Sequence, residues 1–102
     1  MTWFNAGRPD QILPGKVQVV EAGSKRIAVC NTGEEFHAID DICSHDGGPL
    51  GEGELVDGQI ECPRHGARFD VTTGKPLCLP AVRPVKVYPT RIHAGHVEVD
   101  VT

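Results

Sequence analysis

Two cysteines and two histidines lie close together near the middle of the chain. One residue separates Cys43 from His45, sixteen residues follow, and two residues separate Cys62 from His65. Thiolates and imidazoles are the side chains that bind iron, zinc and copper. The surrounding residues 43–66 are rich in glycine and poor in large apolar side chains, so burial alone does not offset an ordering entropy of roughly 1–2 kcal/mol per residue. The pattern therefore predicts a metal centre that holds this segment in place.

The spacing favours a two-metal centre over a single zinc ion. Structural zinc sites usually pair ligands about two to four residues apart, and the one residue between Cys43 and His45 makes convergence on one ion less easy. In a two-iron, two-sulfide cluster, one iron can bind both cysteines and the other both histidines, which is the Rieske ligation. A structural zinc module without a redox role stays open as an alternative of another class. Iron and acid-labile sulfide in equal amounts would separate the two.

The rest of the chain shows the two-residue period of β-strands, and prolines interrupt most candidate helices. The segments that alternate or are rich in β-branched residues are 16–20, 26–30, 35–39, 85–88 and 96–101. Turn-forming residues separate them at distances that suit hairpins. The period alone predicts an all-β sandwich or barrel made of residues before about 40 and after about 66. A hairpin turn is expected at Asp57-Gly58, inside the middle segment.

Composition and charge restrict the class of protein. The chain has 102 residues, 39% of them hydrophobic and 24% charged, and a formal net charge of -4, which is typical of one globular domain. We find no basic patch for nucleic acid, no apolar run near the roughly 18 residues of a membrane span, and no signal-peptide pattern. We therefore expect a cytoplasmic protein whose partners include neither nucleic acid nor a membrane. Its four cysteines are then expected to be metal ligands or buried thiols.

The two ligand pairs, with Gly66 after the second and the Asp57-Gly58 turn before it, resemble the motifs of the Rieske iron–sulfur family. The flanking strand pattern is similar to that family over nearly the whole chain. The resemblance implies an antiparallel β-sandwich base with an inserted, loop-rich subdomain that binds a [2Fe-2S] cluster. It divides the single domain, 1–102, into a base of residues 1–40 and 67–102 and an insertion of about 41–66.

The resemblance also implies the role of each ligand in binding one Rieske [2Fe-2S] cluster. Cys43 and Cys62 would bind the inner iron, and His45 and His65 would bind the outer one. A third, proline-bearing loop covers the cluster in such proteins. Residues of about 76–81 are the candidate for that loop, although they match far less specifically than the ligand pairs.

Four positions differ from the Rieske subunits of respiratory and photosynthetic membrane complexes. Those subunits carry a disulfide between the ligand loops where this chain has Gly48 and Arg64, and a serine and a tyrosine where it has Ala67 and Phe69. The two hydroxyls bond to cluster sulfurs in those subunits. Because such donors stabilise the extra negative charge of a reduced cluster, their absence makes reduction less favourable. The chain thus resembles the low-potential Rieske ferredoxins.

The chain length selects a function within the family. A terminal oxygenase subunit needs a further domain for mononuclear iron and a membrane-complex subunit needs an anchor, and we expect neither in 102 residues. The resemblance then implies a one-electron carrier without catalytic residues of its own. Its expected partners are a flavin-dependent ferredoxin reductase and the terminal Rieske oxygenase of an aromatic-ring dioxygenase system. A Rieske small subunit of a cytoplasmic nitrite reductase is the alternative within the family.

Other reactive side chains have simpler explanations. Cys30 ends an alternating segment and is expected to be a buried thiol. Packing is also the expected role of Cys78, although the covering loop could bring its thiol near the cluster. Asp40 and Asp41 are expected to be turn residues or part of an acidic rim.

Overall fold

A computed structural model describes residues 2–43, 48–63, 66–78 and 83–102. Within these ranges the chain forms antiparallel β-strands, and its only helical element is a 3-10 turn, Pro9–Gln11. The strands are β1 (Trp3–Asn5), β2 (Val17–Ala22), β3 (Lys25–Asn31), β4 (Phe36–Asp40), β5 (Leu55–Val56), β6 (Gln59–Glu61), β7 (Arg68–Asp70), β8 (Pro76–Cys78), β9 (Val87–Tyr88), β10 (Thr90–His93) and β11 (His96–Asp100). The all-β prediction is confirmed.

The strands form three sheets, which we number in chain order. The first sheet has the order β1-β11-β10, the second β2-β3-β4-β9, and the third β5-β6-β7-β8. The second sheet is built from hairpins, because β2 pairs with β3 and β3 pairs with β4. The third sheet contains the hairpin that precedes Cys62 and the strand that follows Gly66.

Strand β3 is buried on both faces and separates two hydrophobic cores. Ile27 and Val29 pack into a core shared with the first sheet, and Ala28 and Cys30 pack into a core shared with the third sheet. Successive side chains of a strand point to opposite faces, so a strand between two cores shows a continuous apolar run. The second sheet is therefore the layer to which the metal-ligand segment attaches.

All five predicted strands are present. Most of their ends differ from the predicted ends by one or two residues. The predicted strand 85–88 is shorter, since only Val87–Tyr88 pairs, with β4. The turn between β5 and β6 is the one expected from the sequence. Asp57 and Gly58 both have positive φ angles, 53° and 73°, which a two-residue type I′ hairpin requires.

The third sheet continues beyond the segment 41–66. Strands β7 and β8 follow residue 66 in the chain, and they extend the sheet from β6. The sheet that supports the ligand segment thus draws strands from both sides of that boundary. The division into a base and an insertion stays a prediction.

Candidate metal centre

The first ligand loop, residues 41–51, begins directly after β4. The backbone of its cysteine closes it. The Cys43 N–H donates a hydrogen bond to the Gly48 carbonyl oxygen, with an N···O distance of 2.7 Å. His45 belongs to the segment 44–47, which lies outside the described residues. The structure therefore describes Cys43, one of the two ligands predicted in this loop.

The second ligand loop lies between β6 and β7 and is closed in the same way. The Cys62 N–H donates to the Ala67 carbonyl oxygen at 2.6 Å, and the Gly66 N–H donates to the Cys62 carbonyl oxygen at 3.0 Å. Gly66 has a φ angle of 74°, a conformation that glycine adopts without steric cost. Arg64 and His65 lie outside the described residues.

The two cysteines of the pattern belong to one buried core. Cys43 is 1% exposed and Cys62 is 0% exposed, and both lie in the core between the second and third sheets. None of the four cysteines, all of which the structure describes, forms a disulfide. A buried thiolate needs a cationic partner to offset its desolvation. Two such thiols in one apolar core fit the cysteine half of an iron–sulfur site.

The structure brings together only part of the predicted ligand set. In the described ranges, no group of three or more histidine, cysteine, aspartate or glutamate side chains could hold a metal ion. Two of the four predicted ligands, His45 and His65, fall outside those ranges. The roles of all four ligands therefore stay predictions.

The surroundings of the two thiols are apolar at the two positions where the Rieske subunits of respiratory and photosynthetic membrane complexes carry hydroxyls. Ala67 and Phe69 are both 0% exposed, and they lie in the same core as Cys43 and Cys62. Gly48 is also buried. These three positions thus offer no side-chain hydrogen-bond donor to that core.

The other two cysteines differ from each other in burial. Cys30 is completely buried in the core beneath the third sheet, as expected, and burial raises the pKa of its thiol to about 12. The expectation that Cys78 is packed is wrong. Cys78 is exposed at the end of β8, the edge strand of the third sheet, and its Sγ donates to the Gly66 carbonyl oxygen at 3.5 Å.

That contact places the beginning of the predicted covering loop beside the second ligand loop. Residues Pro76–Cys78 form β8, and Cys78 reaches the loop that contains Gly66. The remainder of the candidate loop, residues 79–81, lies outside the described residues.

Two acidic residues before Cys43 have roles that sequence reasoning missed. Asp40 accepts a hydrogen bond from the Tyr88 hydroxyl at 2.5 Å, and Asp41 is buried and accepts one from the Gly51 N–H at 2.6 Å. Neither carboxylate forms an acidic rim. The partners lie about ten or more residues away in sequence, so no local pattern indicates them.

A membrane-spanning helix is absent from the part of the chain that the structure describes.

Near the second ligand loop, Arg68 on β7 and Glu61 on β6 form an exposed ion pair, with an Nε···Oε1 distance of 3.1 Å. Exposed pairs of this kind contribute little to stability. This pair nevertheless places one positive and one negative charge on the surface beside the loop.

Comparison with known proteins identifies the family to which these features belong. A family model described as the Rieske [2Fe-2S] domain matches residues 2–89. The chain is 43% identical over 99 residues to the anthranilate 1,2-dioxygenase ferredoxin subunit of Burkholderia cepacia, and the match covers 97% of this chain and 92% of that protein. The match favours the two-iron cluster over the zinc alternative.

Solved structures agree with this result. One is a chain in a complex of reduced oxygenase and oxidised ferredoxin in carbazole 1,9a-dioxygenase, with a TM-score of 0.91, 35% identity, and coverage of 95% of this chain and 91% of that one. Another is described as an NADH-dependent nitrite reductase small subunit from Mycobacterium tuberculosis, with a TM-score of 0.85 and 24% identity over 96% of this chain and 93% of that one. The second likeness establishes the fold alone.

Proposed function

This chain belongs to the Rieske [2Fe-2S] family, and from that membership we propose that it is the electron-carrying ferredoxin of an aromatic-ring dioxygenase system. The observation that carries the proposal is its similarity to a dioxygenase ferredoxin subunit over nearly the full length of both chains. In this role the protein accepts one electron from a flavin-dependent reductase and delivers it to a terminal Rieske oxygenase. It has no catalytic residue of its own, and it acts in the cytoplasm.

The proposed ligands of the single [2Fe-2S] cluster are Cys43 and Cys62 on one iron and His45 and His65 on the other. The bound cluster supplies reversible one-electron chemistry. The burial of both thiols in one core, and the hydrogen bond from each cysteine N–H across its own loop, support this assignment. Both hydrogen bonds are made by the backbone of the two ligand loops.

Charge balance indicates how the surroundings of such a site would affect its reduction potential. Two ferric ions and two sulfides carry a charge of +2, which the thiolates of Cys43 and Cys62 cancel, so the oxidised site is neutral with neutral imidazoles. A reduced cluster held here would bring one negative charge to a core that Ala67 and Phe69 make apolar. An apolar environment disfavours that charge. The potential is therefore expected at the low end of the Rieske range, near -150 mV.

A partner can dock where apolar side chains are exposed next to the ligand loops. Ile42, which precedes Cys43, is 51% exposed, and Leu77 on β8 is 45% exposed. Pro63, which follows Cys62, is exposed as well. We assign these side chains to the contact with the oxygenase. For a transient electron-transfer encounter, the contact area is expected to be small, below about 1,200 Å².

Anaerobic electron transfer tests the proposed function. The purified protein is reduced with one electron equivalent and mixed with the terminal Rieske oxygenase encoded in the same operon. We expect the carrier to be reoxidised within the turnover time of that oxygenase and the oxygenase cluster to be reduced. Failure of this transfer, together with stable co-purification with a nitrite reductase large subunit, would instead support the nitrite reductase alternative.

A further inference from the structure

A buried carboxylate at the start of the first ligand loop joins that loop to the second sheet. The side chain of Asp41 is 0% exposed. Its Oδ1 accepts a hydrogen bond from the Gly51 N–H at 2.6 Å, and its Oδ2 lies 3.3 Å from Nη2 and 3.4 Å from Nε of Arg26 on β3. The Asp41 N–H also donates to the Arg26 carbonyl oxygen at 3.0 Å. Asp41 lies at one end of the loop, and its carboxylate binds Gly51 at the other end and Arg26 of the second sheet.

The space at Gly51 shows how closely the chain returns to the sheet. A Cβ atom at this position would lie 2.2 Å from Cγ2 of Val19 on β2 and 3.0 Å from Oδ1 of Asp41. Both distances are shorter than ordinary contacts. The chain can pass at this depth only without a side chain, so the Asp41–Gly51 bond holds the loop end directly against the second sheet.

The first ligand loop is thus closed at two levels. The inner level is the Cys43 N–H bond to the Gly48 carbonyl, and the outer level is the Gly51 N–H bond to the Asp41 carboxylate. The inner bond joins two residues of the loop itself. The outer level is in addition tied by side-chain hydrogen bonds to the second sheet, through Arg26.

We propose that Asp41 is a positioning residue, whose carboxylate fixes the first ligand loop on the second sheet and so holds Cys43 where it can share a cluster with Cys62. The cost of burying this charge is offset by Arg26, which is half-exposed and also pairs with Glu21 at 3.2 Å. Without the Asp41 carboxylate, the Gly51 N–H loses its acceptor and the loop loses its side-chain hydrogen bonds to Arg26, while the backbone bond from residue 41 to the Arg26 carbonyl remains. The proposal rests on the ligand set given above for the proposed function.

The neighbouring carboxylate provides a matched control. Asp40 has the same chemistry and lies one residue earlier, but its side chain accepts a hydrogen bond from Tyr88 on β9 instead of from the loop. Consecutive side chains at the end of a strand point in opposite directions. Loss of Asp40 should therefore weaken the sheets without releasing the loop.

The test compares the purified, cluster-loaded wild type with Asp41→Ala, Asp41→Asn and Asp40→Ala. The rate of cluster loss to a chelator is followed by visible absorbance, and hydrogen exchange is measured over residues 41–51 and 60–67. We expect Asp41→Ala to lose its cluster at least about tenfold faster than wild type, which corresponds to about 1.4 kcal/mol, because the partly buried Gly51 N–H loses its acceptor and the loop end its attachment to the carboxylate. The faster exchange should be confined to residues 41–51.

Asp41→Asn keeps an oxygen acceptor for Gly51, so its rate of cluster loss should return to within about threefold of wild type. Asp40→Ala should lower the melting temperature and leave the rate of cluster loss unchanged. If Asp41→Ala does not fold, Gly51→Ala tests the same contact from its other partner and should give the same loop-specific exchange.

Two results would overturn the proposal in different ways. Equal rates of cluster loss for Asp41→Ala and Asp40→Ala, with a normal cluster in the wild type, would overturn the positioning role and leave the proposed function intact. A wild-type protein that binds no iron would overturn both.

Discussion

At the cysteines of the two ligand loops, the backbone and the side chain have separate tasks. The N–H of Cys43 and that of Cys62 each close a loop, at 2.7 Å and 2.6 Å, while both thiols point into one apolar core. The hydrogen bonds that close the loops therefore involve no sulfur atom. The properties of the bound cluster then depend on which groups surround those atoms.

Supplying hydroxyls to that core should raise the reduction potential. Ala67→Ser introduces a donor where the Rieske subunits of membrane complexes carry one, and Phe69→Tyr adds another on a ring of nearly the same shape. Both wild-type side chains are 0% exposed. A donor that favours the reduced state by about 1 kcal/mol shifts a one-electron potential by some tens of millivolts, since a tenfold change in equilibrium is about 59 mV. The two shifts should roughly add.

Direct voltammetry on the wild type, both single variants and the double variant measures these shifts. Visible absorbance serves as the control for an intact cluster. A double variant that keeps its cluster and shows no positive shift would mean that the missing hydroxyls do not set the potential.

The buried thiol of Cys30 should make the protein less stable at alkaline pH. Burial raises the pKa of this thiol from 9.0 to about 12. Between those values the unfolded chain releases a proton that the folded protein retains, so the free energy of unfolding falls by up to about 1.4 kcal/mol per pH unit as the pH rises. Below about pH 9 this contribution is constant.

Cys30→Ala removes this titration at a constant cost in packing. The melting temperature of the variant should lie below that of the wild type by a fixed amount from pH 6 to 8, and the difference should shrink between pH 9 and 11. A difference that stays constant up to pH 11 would show that the thiol does not titrate differently in the two states.

Among the strands, the longer ones were predictable from the sequence, whereas among the short ones only β9 and the turn between β5 and β6 were. The segments that became β2, β3, β4 and β11 alternate over five residues or more, which is long enough to show the period of a strand. Strands β5 to β8 have two or three residues each. Their conformation comes from pairing within the third sheet, which a local pattern does not encode.

The candidate site was predictable to a similar extent. The Cys43 and Cys62 positions, with their spacing to two histidines, indicated the metal and the cluster type from the sequence alone. The supporting contacts were not predictable, because the carboxylate of Asp41 is matched to Gly51, ten residues later, by the path of the chain. The exposure of Cys78, at the end of the edge strand β8, likewise has no local signal in the sequence.

Loss of the cluster should release the ligand loops and leave the rest of the sheets in place. Cys62→Ser removes one proposed ligand, and the segment 43–66 contains few apolar residues to hold it. Strands β2, β3 and β4 are joined by their own ladders and contribute to both cores. We expect faster hydrogen exchange across 43–66 and nearly unchanged protection of the second sheet.

The same measurement on the cluster-loaded wild type is the reference. Equal protection of residues 43–66 in the two proteins would contradict the idea that the metal centre orders this segment.

At the scale of the whole molecule, the two cores lie on opposite faces of the second sheet. The third sheet carries the ligand loops on one side, and the first sheet covers the other core. Exposed apolar side chains occur on both sides, so their position relative to the loops distinguishes a docking surface from ordinary surface. Ile42 and Leu77 adjoin the loops, and Ile92 on β10 of the first sheet is 54% exposed.

A charged substitution should slow electron delivery at Ile42 or Leu77, which adjoin the ligand loops, and not at Ile92, which lies on the first sheet. Ile42→Asp and Leu77→Asp should slow delivery to the oxygenase by about tenfold or more, because each places a charge in a contact that must lose water. Ile92→Asp has a matched exposure and should change the rate by less than about twofold. Stopped-flow mixing gives the rates, and unchanged absorbance spectra show that the clusters are intact. Equal slowing by Ile92→Asp would place the docking surface elsewhere.

Pulsed electron paramagnetic resonance of the dithionite-reduced protein, prepared with nitrogen-15-labelled histidine, tests the ligand assignment most directly. We predict two iron and two acid-labile sulfide atoms per chain, and couplings to two histidine nitrogens that are both lost in His45→Ser and in His65→Ser together with the cluster. Substitution of His37, which lies on β4, should leave both couplings intact. A cluster without histidine couplings, or a colourless protein that contains zinc, would contradict the assignment of a Rieske centre to Cys43, His45, Cys62 and His65.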